Sequence, residues 1–312
     1  MAEHTRVRVF APGSIGNVGP GLDILGLALA GLGDTVEAER SDEPGVRVLD
    51  PGHPDLPRDP QENTAALAAS AALRAGGQDH AGLLLRITKG LPLAGGQGGS
   101  AASAVAGAVA ADALYGLALS PGRLAEAALE AEARVAGRHL DNILPSLIGG
   151  IVLIRDARAL DYQRVPVPAG LWVVLAHPAQ RLRTAEGRAV LPRELPRELA
   201  LHQAAQVAAM VLAFTTGDLA LLRRAVDDRI AEPARAPLLP GFLAAKRAAL
   251  EAGALGCSIS GSGPTVFAFA ESEAQGAAIG RAMQAAYEAA QVPASWRVTR
   301  VSEPGATVLE RA

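Results

Sequence analysis

The stretch Pro92-Leu93-Ala94-Gly95-Gly96-Gln97-Gly98-Gly99-Ser100-Ala101-Ala102-Ser103 joins two predicted elements of different kinds. Residues 83–88 before it read as a strand, and residues 100–115 after it read as a helix of small side chains. Four glycines let the backbone take positive φ and let a ligand approach closely. The helix that follows offers unpaired N–H groups and the positive end of its dipole in its first turn. That combination suits a polyphosphate. Ser100 falls in that turn, where its hydroxyl could reach a phosphate oxygen or a bound Mg²⁺. No Gly-Lys-Ser/Thr occurs, so the loop is not a Walker A motif. Gly96, Gly98 and Ala101 match the dinucleotide pattern G-x-G-x-x-A, which would make the chain an oxidoreductase. Against that match, Lys89 to Leu93 separates the strand from the glycines, and the segment after Tyr115 turns into another helix. By itself the loop is equally a device for tight helix packing.

Outward from the loop, the first half begins with strands. Val7 and Val9 belong to a strand predicted to end at Pro12-Gly13, with a loop over 13–21. Residues 24–30 form an apolar strand, and 34–40 and 46–49 two short ones. Four prolines make 51–60 an irregular loop. A helix over 63–73 takes Asn63 as its N-cap. A helix over 121–136 and a strand over 149–155 follow. Beyond residue 160 the expected order is a strand at 171–176, helices at 182–190, 197–215, 217–229 and 241–252, and strands at 255–260 and 265–270. The turn Gly261-Ser262-Gly263-Pro264 joins those two strands. A helix at 273–290 and a last strand at 296–301 close the chain. Strands among long helices make the fold class α+β. The expected domains are 1–160 and 161–312, with no long linker between them.

The chain has 312 residues, 49% hydrophobic and 20% charged, enough apolar surface for a sizeable core. Its single cysteine, Cys257, excludes an internal disulfide and a thiolate zinc site, and fits a reducing compartment. A net charge of −3 gives no footprint for nucleic acid or an acidic membrane. Of the 29 basic residues only Lys89 and Lys246 are lysines, so richness in arginine reflects codon bias as much as chemistry. The N-terminal Met1-Ala2-Glu3-His4-Thr5 lacks a signal pattern. The uncharged stretch 90–111 is a Gly-rich loop and a small-residue helix rather than a span. The expectation is a soluble, cytoplasmic protein, with monomer or homodimer left open.

Two further segments go with the loop. Ala11-Pro12-Gly13-Ser14-Ile15-Gly16-Asn17-Val18-Gly19-Pro20-Gly21-Leu22-Asp23 and Ser258-Ile259-Ser260-Gly261-Ser262-Gly263-Pro264-Thr265 resemble the first and third motifs of the GHMP small-molecule kinases. The loop at 92–103 stands where that family's second motif, P-x-x-x-G-L-G-S-S-A-A-S, belongs. Three more segments resemble the homoserine kinase branch: His139-Leu140-Asp141-Asn142 with Pro145, Thr184 to Pro192 around Arg188, and Asp228 to Arg235. Departures from the pattern are Gln97 for leucine, Gly99 for the first serine, Ala231 for histidine and Leu22 for phenylalanine.

The resemblance implies a two-domain GHMP kinase fold, with an N-terminal α/β domain carrying the ATP loop and a C-terminal ferredoxin-like domain. It implies ATP and Mg²⁺ as cofactors and L-homoserine as the phosphoryl acceptor. ATP would lie along Pro92, Leu93, Ala94, Gly95, Gly96, Gln97, Gly98, Gly99, Ser100, Ala101 and Ala102. Asn63 would be near the base, unless it is only a helix cap. Ser100 and Glu132 would hold Mg²⁺, with Glu130 the alternative one register away. Arginine pairs with a carboxylate in bidentate fashion, and Arg188 and Arg235 would take that of the substrate. Asn17, Asp23, His139, Asn142 and Thr184 would read its other groups, and Asp141, Asn142 and Asp23 are the implied catalytic set. Other readings are a GHMP kinase for another small hydroxy compound and a relative that binds nucleotide without turnover.

Overall fold

The computed structural model describes residues 4–135 and 137–312. Met1-Ala2-Glu3 and Ala136, the last residue of the predicted helix 121–136, lie outside the described residues. The first half runs β1 (Arg6–Gly16), β2 (Leu25–Ser41), β3 (Gly45–Asp50), α1 (Thr64–Ala75), β4 (Gly82–Thr88), α2 (Gly99–Tyr115), α3 (Pro121–Val135), α4 (Leu140–Ile148), β5 (Ile151–Asp156) and β6 (Asp161–Val165). The second runs β7 (Trp172–Pro178), α5 (Thr184–Ala189), α6 (Arg197–Thr216), α7 (Leu219–Ala225), α8 (Ala231–Arg235), α9 (Phe242–Glu251), β8 (Cys257–Ile259), β9 (Val266–Ala270), α10 (Glu273–Ala289), β10 (Ala294–Thr299) and β11 (Thr307–Arg311).

The first sheet has the order β11-β1-β2-β4-β3, with β5 on β2 and β6 on β5. Only the β3–β4 pair in it is parallel. A dinucleotide-binding unit needs a parallel sheet with the glycines at its first strand, so the G-x-G-x-x-A match does not mark one here. β1 continues through Pro12-Gly13 to Gly16 because its register with β2 shifts between Pro12 and Ser14. The shift is a bulge, one of the few places a sheet tolerates proline. The predicted strands 24–30 and 34–40 are one strand, β2, which bulges between Ala28 and Gly33 opposite that point. The strand at 294–299 is not the last: the chain returns to pair β11 with β1. β6 and β11 thus join the first sheet from beyond residue 160.

The second sheet is antiparallel in the order β10-β7-β9-β8. With the helices between β7 and β8 and α10 between β9 and β10, this is the ferredoxin-like arrangement. Side chains alternate across it. Val173, Leu175, Phe267 and Phe269 face a core shared with Ile15, Leu25, Leu27 and Ile151 of the first sheet. Val174, Ala176, Val266 and Ala268 face the other way, onto Phe242 of α9 and Ile279 and Met283 of α10. Burial on both faces explains why these strands read as unbroken apolar runs. A third core lies between the first sheet and α1 to α4.

Among the described residues one helix, α6, is long and apolar enough by length and composition to cross a bilayer. Its Met210, Ala213 and Phe214 turn into the shared core, where Phe214 meets Phe269 edge-on with ring centroids 6.0 Å apart.

Candidate active site

A cleft of about 390 Å³ opens between the two sheets. The 92–101 loop, the start of α4, α5 and the 261–263 turn converge on it. Gly98, the N-cap of α2, sits at φ 65°, ψ 26°, and no side chain caps the first turn. A Cβ there would run into the Ser14 hydroxyl. The helix therefore starts with open N–H groups at the cleft. Pro92, Leu93, Ala94, Gly95, Gly96, Gly98, Gly99, Ser100 and Ala101 line it.

Gln97 and Ala102 do not. Ala102 is buried in the core between helices and sheet. The Gln97 side chain turns to the second sheet, where its Nε2 donates to Thr265 Oγ1 at 3.0 Å. Thr265 Oγ1 in turn lies 2.9 Å from Nδ1 of His177 on β7. Burial lowers the pKa of His177 and favours the neutral ring. The Gln97 departure therefore lies behind the loop rather than in its ligand face. Ala231 is likewise buried at the start of α8, off the cleft wall.

Ser100 Oγ donates to Glu132 Oε1. Leu124, Ala125, Ala128 and Glu132 share the inward face of α3. Glu130 instead points outward and pairs with Arg74 at 2.7 Å. Burial pushes the Glu132 carboxyl up to about 7, against the Ser100 hydrogen bond and the His139 and Lys89 charges. A buried carboxylate beside a hydroxyl at the end of a phosphate loop is a hard-oxygen donor set that fits Mg²⁺. Lys89, which the sequence reading passed over, is buried under the loop. It pairs with Asp34 and donates to Gly99 O at 3.0 Å and Ser103 Oγ at 2.9 Å. One of only two lysines in an arginine-rich chain was a signal that could have found it.

Across the cleft, α4 presents Asp141 and Asn142 in its first turn. Asp141 Oδ2 accepts from Asn17 N at 3.0 Å, and Ser14 Oγ donates to Asn142 Oδ1 at 2.9 Å. Gly16 permits this approach: a Cβ there would lie 2.5 Å from Asp141 Oδ2 and 2.7 Å from Asn142 Nδ2. Burial, with the nearby Asp23 charge, raises the Asp141 carboxyl to about 6. Asn17 and Asp23 both have left-handed backbones, φ 66° and 62°, a conformation that persists only where the surroundings enforce it. Asn17 holds its turn together, accepting from Asp23 N at 3.1 Å and donating to Gly261 O at 3.0 Å.

Arg188 donates to Asp23 Oδ1 at 2.5 Å, and the same Nη2 lies 3.0 Å from His139 Nδ1. Burial opposes the Asp23 charge, but its His139 and Arg188 partners outweigh that and hold its pKa down at about 2. Burial also opposes a charged His139 ring, yet Asp23 and Asp141 raise its pKa. Arg235 is buried, with Nε on Gly187 O at 2.9 Å and Nη1 on Gly261 O at 2.8 Å. It is aimed by α8, whose first turn is capped by Asp228 accepting from Ile230, Ala231 and Glu232. Thr184 lines the cleft as the first residue of α5; the N-cap of that helix is Arg183. Asn63 caps α1, accepting from Ala65 and Ala66, and also reaches the cleft wall. The arrangement sets oxygen donors and open N–H groups on one wall against paired opposite charges on the other.

The family model described as GHMP kinases N terminal domain matches residues 63–150, and that described as GHMP kinases C terminal matches 210–289. A homoserine kinase of Chlorobium phaeobacteroides is 41% identical over 292 residues, covering 89% of this chain and 91% of the relative. One of Arabidopsis thaliana is 41% identical over 289 residues, covering 90% and 78%. The crystal structure of homoserine kinase from Cytophaga hutchinsonii superposes with a TM-score of 0.94 at 38% identity, covering 99% of each chain.

Proposed function

The chain belongs to the GHMP kinases, and within them to the homoserine kinases; from that membership we propose how its cleft carries the reaction. The γ-phosphoryl group of ATP passes to the side-chain hydroxyl of L-homoserine, giving O-phospho-L-homoserine and ADP, a step towards threonine. The observation that carries the assignment of roles is the facing of two walls. Ser100 at the start of α2 and Glu132 of α3 stand on one wall, and Asp23, Arg188 and Arg235 stand on the other.

ATP lies with its phosphates on the N–H groups of the 94–101 loop, where the helix dipole favours anions. Asn63 sits beside the base. Ser100 and Glu132 would hold Mg²⁺, which would neutralise the phosphate charge. Arg188 and Arg235 take the substrate carboxylate, and Asp23 with Asn17 takes its ammonium. His139 and Thr184 complete that end of the cleft. Asn142 and Asp141 orient the hydroxyl in line with the phosphorus. Phosphoryl transfer passes through a loose transition state, so positioning and charge do most of the catalysis. The hydroxyl proton leaves to water without a dedicated base.

The two domains, 1–160 and 161–312 apart from the strands that cross back, close the cleft from either side. The proposed setting is the cytoplasm, with small-molecule partners and neither nucleic acid nor membrane.

The test is ADP release with ATP and Mg²⁺ against L-homoserine, L-threonine, L-serine, mevalonate and shikimate. Mg²⁺-dependent turnover on homoserine alone is expected. Turnover on another member would move the assignment to a different small hydroxy compound, and ATP binding without turnover on any would make the chain a non-catalytic relative.

A further inference from the structure

The phosphate loop is gripped from behind by the second sheet. Thr265 N donates to Gly95 O at 3.3 Å, and Ser260 Oγ donates to Gly96 O at 2.6 Å. Both acceptors are backbone carbonyls, which any residue would supply. The third contact depends on side chains: Gln97 Nε2 to Thr265 Oγ1, at 3.0 Å, with both residues buried. Thr265 Oγ1 accepts from Gln97. The acceptor beside it for its own proton is Nδ1 of His177, at 2.9 Å. This places the ring proton of neutral His177 on Nε2. The chain of bonds runs from β7 through Thr265 to the middle of the loop, and none of the three residues lines the cleft.

We propose that His177 is a positioning residue for the nucleotide. By holding the Thr265 hydroxyl it holds the Gln97 amide, and so fixes the backbone whose N–H groups meet the phosphates. Gln97 O accepts from Ser14 N at 3.0 Å, and Ser14 Oγ holds Asn142 at 2.9 Å, so the same residue also faces the acceptor side. Without His177 the buried Thr265 hydroxyl loses the acceptor that aims it; it turns to find another, and the Gln97 amide bonded to it shifts with it. The inference rests on the nucleotide reading of this loop.

The experiment compares His177→Leu, His177→Asn, Gln97→Leu and the double variant Gln97→Leu/His177→Leu by steady-state kinetics and thermal melting. His177→Leu should raise the KM for ATP about five- to tenfold, with the KM for homoserine and kcat within about twofold. His177→Asn, whose Oδ1 can stand in for Nδ1 as acceptor, should restore the KM for ATP. In the Gln97→Leu background, His177→Leu should add nothing further to that KM. A His177→Leu variant that changes only the melting temperature would overturn the proposal. So would an effect on ATP that persists undiminished with leucine at 97. Absence of ATP-dependent turnover in the unaltered protein would remove the nucleotide reading itself, and this proposal with it.

Discussion

The Arg188 guanidinium and the Asp23 carboxylate meet on one wall of the cleft at 2.5 Å, joining α5 to the turn after β1. Both side chains remain about two-fifths exposed, at 41% and 42%. Each is also complementary to one end of a zwitterionic amino acid.

Removing one of these charges should therefore affect the ligand more than the fold. Arg188→Met is expected to raise the KM for homoserine about 10- to 100-fold with the melting temperature almost unchanged, because an exposed ion pair contributes ~0–1 kcal/mol. Arg235→Met should differ. Its guanidinium is buried on two carbonyls, so the variant should lose about 2–4 kcal/mol of stability as well as substrate affinity. Melts and initial rates on the two variants, side by side, separate these outcomes.

Glu132 carries a pH signature. Its folded pKa is raised from 4.5 to about 7, so the folded protein binds a proton that the unfolded chain releases. Stability from that group is full below pH 4.5 and is lost as pH rises through 7. Asp141, raised to about 6, acts in the same direction. Glu132→Gln should be more stable than the unaltered protein at pH 8 by on the order of 2–3 kcal/mol, and equal to it near pH 4.5. Turnover should fall about 100-fold. Urea titrations without nucleotide or Mg²⁺, at both pH values, give the answer; a pH-independent difference would contradict it.

Gly16→Ala introduces one methyl group where Asp141 and Asn142 come within 2.7 Å. One of them must shift, against the hydrogen bonds that Asn17 N makes to Asp141 and Ser14 makes to Asn142. About 1–3 kcal/mol of stability should be lost to overpacking. A fall in kcat of about 100-fold is expected from a misplaced acceptor hydroxyl. Wild-type kcat in this variant would dissociate Asp141 and Asn142 from the chemistry.

Gly99→Ser tests the opposite case. The nearest atoms to a Cβ there are Leu91 Cβ at 3.5 Å and Lys89 Nζ at 3.6 Å, which is ordinary contact. Stability should change by less than about 0.5 kcal/mol. The KM for ATP should fall about threefold through an added hydroxyl donor beside the phosphates. An increase would mean that the new hydroxyl engages Lys89 instead.

The two walls of the cleft were legible in the sequence to different depths. The glycines and Ser100 stand out as a local pattern, and the segments around Asp141 and Arg188 through their resemblance to the family's motifs. Glu132 could be separated from Glu130 only once α3 had a neighbour to turn towards. The direction of Gln97 depends on backbone angles in a glycine-rich loop, which local pattern does not set. His177 and Thr265 are 88 residues apart, and only the pairing of β7 with β9 brings them together. β6 and β11 were not read as strands because their mostly polar, exposed residues take strand form from a partner rather than from their own propensity. α4 was hidden by Pro145, which lies inside it although proline removes a helix hydrogen bond and reads as a breaker.

The pairing of β11 with β1 bears on how the protein is made. Arg6 and Glu310 lie 304 residues apart yet form an ion pair on adjacent strands. On the ribosome, β1 emerges just before β2 and can find it, but its outer edge stays bare until β11 is synthesised. A bare edge is a template for pairing with the wrong chain, and contacts of such long separation form slowly. The nascent chain therefore carries an open sheet edge for as long as the segment from β2 to β10 is being made.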